Sequence, residues 1–281
     1  MTTSPDPNRV APDCVVPARV DPDRLADALV RDDGLFRGVE VVAATGSTNA
    51  DLAEVARRGT TGRVLVAAHQ TAGRGRRGRG WAATPGTSQA ISVLWHPERT
   101  DHWSWLPLVT GVAVCDTARA WGVPAALKWP NDVLVPATDP TGPGHKLAGL
   151  LAERVDTVHG AACVLGIGLN TTAGRDDLPV PTATSLALAG AARPLDVTAV
   201  IADLLGRLER LLLWWRSGEQ DDLLADLYAN RCGTLGRRVR ADLGDGHLVG
   251  EAVRVDDGGA LVLLVDGTER SVVAGDVVHL R

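Results

Sequence analysis

Apolar positions along the chain alternate between a helical period and a strand period. Leu25, Ala28 and Leu29 recur at helical spacing behind Asp21-Pro22, an N-cap followed by a first-turn proline, and Gly34 can stop that helix. A second helix is predicted over Ala50–Arg58, entered from Ser47, Thr48 and Asn49 and ended by Gly59. Helical character returns over Trp105–Trp121, Val197–Trp215 and Gln220–Asn230. Between these helices lie strand-like runs at Val39–Ala44, Val64–Ala68, Ser88–Trp95 and Leu127–Val135, the last interrupted by Pro130. Leu147–Val155 and Ala161–Ile167 read as two more strands, a candidate hairpin. Pro179–Pro194 and Pro136–His145 are irregular, and residues 1–19, rich in Pro, Asp and Thr, read as a tail.

Beyond Cys232 the texture changes. Short strands at Arg238–Ala241, Gly250–Val255, Ala260–Val265 and Glu269–Val273 are punctuated by Gly244-Asp245-Gly246, Asp257-Gly258-Gly259 and Asp266-Gly267. Four or five short strands with tight turns predict a small barrel or sheet, with a boundary near Gly233. No internal repeat is visible.

The 281 residues suit one large unit and one small one, and 45% hydrophobic against 22% charged residues allows a sizeable core. A formal net charge of -5 is the wrong sign for a general nucleic-acid binder, so any basic segment must act locally. Cys14, Cys115, Cys163 and Cys232 form no C-x-x-C pair, which favours inert thiols over a zinc site or a redox dithiol. No run approaches the roughly 18 apolar residues of a membrane helix. The N-terminus lacks a signal-peptide layout, and a cytoplasmic location is expected.

Against that acidic background, Gly73-Arg74-Gly75-Arg76-Arg77-Gly78-Arg79-Gly80-Trp81 stands out. Its glycines leave the backbone too free for regular structure and let N–H groups approach an anion. Its arginines offer planar donors that match phosphate, and Trp81 adds a flat face for a heterocycle. A solvated surface run, an RNA-binding segment and a localisation signal are alternatives. It is neither a Walker A loop nor a dinucleotide fingerprint. Lys128-Trp129-Pro130-Asn131-Asp132 crowds a cation, an amide and a carboxylate at a strand end; Asp132 suits Mg²⁺, or the segment is an ordinary capped turn. Lys146 either enters a cleft or flanks a strand at the surface. Gly166-Ile167-Gly168-Leu169-Asn170 permits close backbone approach or is a turn with a left-handed Asn. Ser47-Thr48-Asn49 is a plain N-cap or reads a small polar ligand. No nucleophile elbow and no H-E-x-x-H spacing is present.

Taken in order, Ser-Thr-Asn, a Gln followed by the Gly/Arg run, Lys-Trp-Pro-Asn-Asp, Lys-Leu-Ala-Gly and Gly-Ile-Gly-Leu-Asn are similar to the motifs of biotin protein ligases, over roughly residues 40–281. The resemblance implies an α+β fold, with a mixed curved sheet flanked by helices of the class II aminoacyl-tRNA synthetase and biotin synthetase kind. A small C-terminal SH3-like β-barrel would follow. The implied division is a tail and helix over 1–38, a catalytic biotin- and ATP-binding domain over 39–232, and the small domain over 233–281. The implied activity makes biotinyl-5'-AMP from biotin and ATP with Mg²⁺, then transfers biotin to a lysine of a biotin carboxyl carrier domain of an acetyl-CoA or related acyl-CoA carboxylase. Carried over to this chain, Ser47, Thr48, Asn49, Gln70, Arg74, Gly75, Arg76, Lys146 and Gly149 would bind biotin. Arg76, Arg79, Trp81, Asn131, Lys146, Asn170 and Arg281 would bind nucleotide. Lys146, Arg76, Arg79 and Asp132 would carry the chemistry, Asp132 also as a Mg²⁺ ligand. The arginine loop is expected to be mobile when empty and ordered over the adenylate.

Some members of that family carry a DNA-binding winged helix, which needs roughly 60 ordered residues ahead of the Ser-Thr-Asn motif. About 45 precede Ser47 here, so a ligase without repressor function, a monomer or weak homodimer, is expected. The loop between Asp132 and Lys146, holding Pro136, Pro140 and Pro143, is longer than the resemblance leads one to expect and leaves the placement of Lys146 open. A lipoate–protein ligase is the nearest rival, but its Arg-Arg-x-Ser-Gly-Gly-Gly run is absent. A non-enzymatic RNA binder would need aromatics interleaved with the arginines beyond Trp81.

Overall fold

The computed structural model describes residues 20–99, 101–137, 142, 144–219, 221–244 and 246–280. The tail expected over 1–19, with Cys14, lies outside the described residues, as do Pro140, Pro143 and Arg281. The described helices are α1 (Pro22–Leu29), α2 (Thr48–Arg57), α3 (Trp105–Ala120), α4 (Val197–Ser217) and α5 (Asp221–Ala229). The strands of the larger unit are β1 (Gly38–Val42), β2 (Arg63–Ala67), β3 (Ser88–Trp95), β4 (Ala126–Lys128), β5 (Asp132–Val135), β6 (His145–Thr157) and β7 (Gly160–Asn170). Those of the smaller are β8 (Arg238–Asp242), β9 (His247–Val255), β10 (Leu261–Val265), β11 (Thr268–Val272) and β12 (Asp276–His279). Helix starts follow local chemistry: Asp21 accepts from the backbone of Asp23 and Arg24, and Asp196 accepts from Ala199 at the start of α4.

Seven strands form one mixed sheet in the order β1-β2-β3-β7-β6-β5-β4, with β1 and β2 parallel and every other pair antiparallel. Side chains alternate between its faces. Ile91, Val93, Leu165 and Ile167 face α3 and α4 in the main core; Leu94 and Val164 face α2 with Leu52, Ala56 and Leu65. One sequence expectation needs correcting. The run broken at Pro130 is a hairpin, β4 and β5, whose turn holds a cis Trp129–Pro130 bond. The strand expected over Ala161–Ile167 runs on to Asn170 as β7, which selects close backbone approach over a turn for Gly166–Asn170. Its glycines oppose Ser92 and Ala90 on β3 and Leu151 and Gly149 on β6, and those ladder partners hold it extended.

The second sheet is antiparallel, order β11-β10-β9-β8-β12, of the SH3-like kind. Its fifth strand, β12, escaped the sequence reading because it is four residues long and pairs with β8, far away in the chain. The sheets share one apolar core that includes Val239, Leu261, Leu263 and Val277. Polar clasps reinforce the joint. Trp129 is buried and donates from Nε1 to Gly259 O at 3.1 Å, while Trp105 Nε1 donates to Asp257 O at 2.8 Å. Thr234 Oγ1 accepts from Trp129 N at 3.1 Å and lies 3.0 Å from His279 Nε2, to which its hydroxyl can donate only while that nitrogen is unprotonated. Cys115, Cys163 and Cys232 are buried, and burial pushes the first two up to about 11 and about 12, in keeping with inert thiols.

Burial, then the charges of Lys128 and Arg237, push His279 down to about 4 from its ordinary 6.5. Between those values the unfolded chain binds a proton that the folded chain refuses, so acidification through that window weakens the fold. Urea midpoints measured from pH 7 to 4.5 should fall more steeply for wild type than for His279→Gln. Parallel slopes would refute a role for His279 in the joint.

Candidate active site

A single cleft of about 250 Å³ opens where α2, the strands β3, β6 and β7, the β4–β5 hairpin and β12 meet. Its floor follows from strand register. Ala90 on β3, Gly168 on β7 and Gly149 on β6 lie side by side in one row, with Ser92, Gly166 and Leu151 in the next. A Cβ on Gly168 would sit 2.4 Å from the Trp81 ring, and one on Gly149 would sit 3.0 Å from it. The row is flat because these residues lack side chains, and the indole lies upon it.

One end of the cleft is neutral and polar. Ser47 caps α2, its hydroxyl 3.5 Å from Ala50 N. Gln70 Oε1 accepts from Thr48 N at 2.8 Å and lies 3.1 Å from Thr48 Oγ1, whose one proton can go either to it or to Ser92 Oγ. Ser92 Oγ donates to Asn49 Oδ1 at 2.6 Å and lies 2.7 Å from Thr48 Oγ1. Asn49 Nδ2 donates to Glu153 Oε2 at 2.6 Å. Asn49 borders the cleft but spends its amide within the protein, whereas Ser47, Thr48 and Gln70 border it as expected.

The other end is cationic. The Gly/Arg loop folds back on itself through Gly75 N to Arg79 O at 2.6 Å and Trp81 N to Gly73 O at 2.9 Å, with a single 3₁₀ turn at Arg76–Gly78 and Arg77 at φ 55°. Arg74, Gly75, Arg76, Arg79 and Trp81 all line the cleft. Arg76 donates to Asn131 Oδ1 at 3.2 Å, and Asn131 is held in turn by Leu150 O at 2.9 Å. Lys146 lies within β6 and pairs with Leu134 on β5; its Nζ sits 2.6 Å from Asp132 and 5.7 Å from the centre of the Trp81 ring. Lys128 reaches the other Asp132 oxygen at 3.8 Å. Asp276 pairs with Arg79 at 2.6 Å and Arg77 at 3.7 Å.

Five basic side chains, Arg74, Arg76, Arg79, Lys128 and Lys146, thus line the cleft with two carboxylates, Asp132 and Asp276. Burial pushes Arg76 below the usual guanidinium range; Asp276 opposes that, while Arg77 and Arg79 add to it. A half-buried cation short of counter-charge favours an anionic ligand. No group of three or more His, Cys, Asp or Glu capable of holding a metal occurs among the described residues. Asp132 therefore suits Mg²⁺ only as one ligand beside substrate phosphates and water.

Asn170 does not line the cleft: it is buried, accepting from Ser88 Oγ at 2.9 Å and donating to Thr184 O at 2.9 Å, because β7 carries it past the floor to pair with Ser88 at the start of β3. Four residues carry more than the sequence reading gave them. Lys128 belongs to the Lys-Trp-Pro-Asn-Asp motif, and the structure adds its approach to Asp132. Ser92 is a hydroxyl between the apolar Ile91 and Val93 of β3, and Glu153 shares the face of Gly149 and Leu151, so alternation points to both. Asp276 had no local signal, since its place depends on the long-range pairing of β12.

Comparison with known proteins agrees with this architecture. Residues 44–170 match the model of the biotin/lipoate A/B protein ligase family, and residues 234–280 match that of the biotin protein ligase C-terminal domain. The chain is 45% identical to the biotin–[acetyl-CoA-carboxylase] ligase of Mycobacterium tuberculosis over 92% of this chain and 94% of that one. It is 30% identical to the bifunctional ligase/repressor BirA of Escherichia coli over 85% of this chain and 73% of the relative. Among solved structures, the biotin protein ligase from Aquifex aeolicus in complex with biotin and ATP superposes with a TM-score of 0.70 at 25% identity, over 88% of this chain and all of that one. The chain belongs to the biotin protein ligase family.

The glycine row yields a direct test. Gly168→Ala should lift Trp81 from the floor and break its backbone bond to Gly73. Hydrogen exchange in the 73–81 peptide should then accelerate roughly tenfold, equivalent to about 1.4 kcal/mol of lost local stability. Unchanged exchange would show that Trp81 does not depend on the bare glycine.

Proposed function

We propose that this chain is an ATP-dependent biotin–protein ligase that makes biotinyl-5'-AMP and transfers biotin to a lysine of a carrier domain. The observation that carries the reading is one cleft in which a compact neutral pocket runs into a cradle of cations. Biotin has that division, an uncharged ureido ring at one end and a carboxylate at the other. ATP supplies the second anion.

In the first step a biotin carboxylate oxygen bonds to the α-phosphorus, the bond to the β-phosphate oxygen breaks, and pyrophosphate leaves. Ser47, Thr48, Gln70 and Gly75 hold the ring end. Lys146 meets both the carboxylate and the α-phosphate, and Asp132, 2.6 Å away, orients its ammonium. Arg76 and Arg79 receive phosphate charge, Asn131 steadies Arg76, and Trp81 offers its face to adenine. Mg²⁺ bound with the triphosphate would supply further charge neutralisation, with Asp132 the carboxylate that would reach it. In the second step the lysine nitrogen attacks the acyl carbon, an amide forms, AMP leaves, and the nitrogen gives up a proton to solvent. No enzyme nucleophile is required, so positioning and electrostatics carry the rate. Asn170 serves by fixing the β3–β7 edge; Arg281, also expected at the nucleotide, lies outside the described residues.

The acceptor in this reading is the biotin carboxyl carrier domain of an acetyl-CoA or related acyl-CoA carboxylase, in the cytoplasm, with the ligase a monomer or weak homodimer. No helix among the described residues is long and apolar enough to cross a membrane.

Purified protein with ATP and Mg²⁺ should release pyrophosphate on addition of biotin but not lipoate, and should label a carrier domain with biotin. Lipoate-dependent release would overturn the reading. Lys146→Ala should keep the wild-type melting temperature and lose roughly 10²–10³-fold in adenylate formation. Near-normal synthesis by that variant would remove Lys146 from the reaction.

A further inference from the structure

Glu153 stands just outside the cleft lining, yet it joins two elements that frame the cleft. β6 presents it on the same face as Gly149 and Leu151. One carboxylate oxygen accepts from Asn49 Nδ2 at 2.6 Å, in the first turn of α2. The other lies 3.7 Å from Arg74, on the first leg of the Gly/Arg loop. It is the only carboxylate paired with Arg74 among the described residues. A Cβ on Gly166 would come within 2.4 Å of Asn49 Oδ1, so that glycine makes the room in which Asn49 turns toward Glu153. The result is a polar chain across α2, β3, β6 and the loop: Thr48 N donates to Gln70, the Thr48 hydroxyl lies 2.7 Å from Ser92 Oγ and can donate to it, Ser92 donates to Asn49, Asn49 donates to Glu153, and Glu153 forms an ion pair with Arg74.

We propose that Glu153 is a positioning residue for the biotin end of the cleft. It fixes the Asn49 amide, which through Ser92 orients Thr48, and it holds Arg74, which would otherwise be pushed outward by its arginine neighbours. This rests on the ligase reading above. The bonds converge on the neutral end, whereas the nucleotide end has its own clasps in Asp132 and Asp276. Loss of the Glu153 charge therefore weakens biotin binding and spares ATP binding.

Glu153→Gln retains a carbonyl acceptor for Asn49 and removes the charge facing Arg74. Steady-state kinetics of the full chain should show KM for biotin raised roughly tenfold, with KM for ATP and kcat within about twofold and the melting temperature unchanged. Equilibrium dialysis with labelled biotin should show the same loss of affinity. Arg74→Gln should also raise KM for biotin, and adding Glu153→Gln to it should raise that KM no further, since both break one link. Glu153→Gln kinetics equal to wild type, an equal rise in both KM values, or additive effects in the double variant would overturn the proposal. If Glu153→Gln fails to fold, Arg74→Gln decides: a wild-type KM for biotin in that variant is equally fatal. Absence of biotin-dependent pyrophosphate release from wild type is a separate failure, that of the ligase reading itself.

Discussion

Like charges held close together govern this molecule. Four arginines within six residues, joined in space by Lys128 and Lys146, repel one another wherever water is excluded. The fold holds them by giving them carboxylates from separate elements. Asp132 comes from β5, Asp276 from β12 and Glu153 from β6. Arg76, half-buried and short of hydration, is held by Asn131. Such an arrangement is prepared for incoming negative charge, because the cations are fixed before any ligand arrives and are only partly neutralised.

The opposite requirement shapes the floor. Where the walls need long charged side chains, the floor needs none, and the alternation of a β-sheet supplies the row Ala90, Gly168 and Gly149 across three neighbouring strands. Trp81 rests on that row and brings the end of the Gly/Arg loop down with it. The sheet thus does two jobs with its two faces: one is filled by Ile91, Val93, Leu165 and Ile167 against α3 and α4, and the other is left bare enough to admit a planar ring. Glycines that weaken a strand elsewhere are confined here to positions braced on both sides.

Much of this was legible before any coordinates. β3 could be read residue for residue, because an apolar run bounded by turn residues has few alternative readings, and the caps at Asp21 and Ser47 mark their helices directly. The motif order placed Ser47, Gln70, Arg76, Trp81, Lys146 and Asp132 in one site, and they do meet. What failed has a common cause. The Gly166–Asn170 motif reads equally well as a close backbone approach or a turn, and pairing of Asn170 with Ser88 on β3 decides for the strand. β12 and Asp276 were invisible because their partner strand is far away in sequence, and Glu153 gains its meaning only when α2 and the Gly/Arg loop are brought to it. Local chemistry announces elements; it does not announce which distant element supplies a counter-charge.

The shared wall between the two sheets has a consequence for engineering. Trp129 reaches into the β9–β10 turn, Thr234 bridges Trp129 and His279, and Asp276 sits among the loop arginines. The small sheet is therefore not a cartridge that can be exchanged for that of a relative by matching strand lengths. A chimera would have to carry across the indole's acceptor, the threonine and the carboxylate together, and a graft that preserved only the barrel would deliver a well-folded protein with an unfinished cleft.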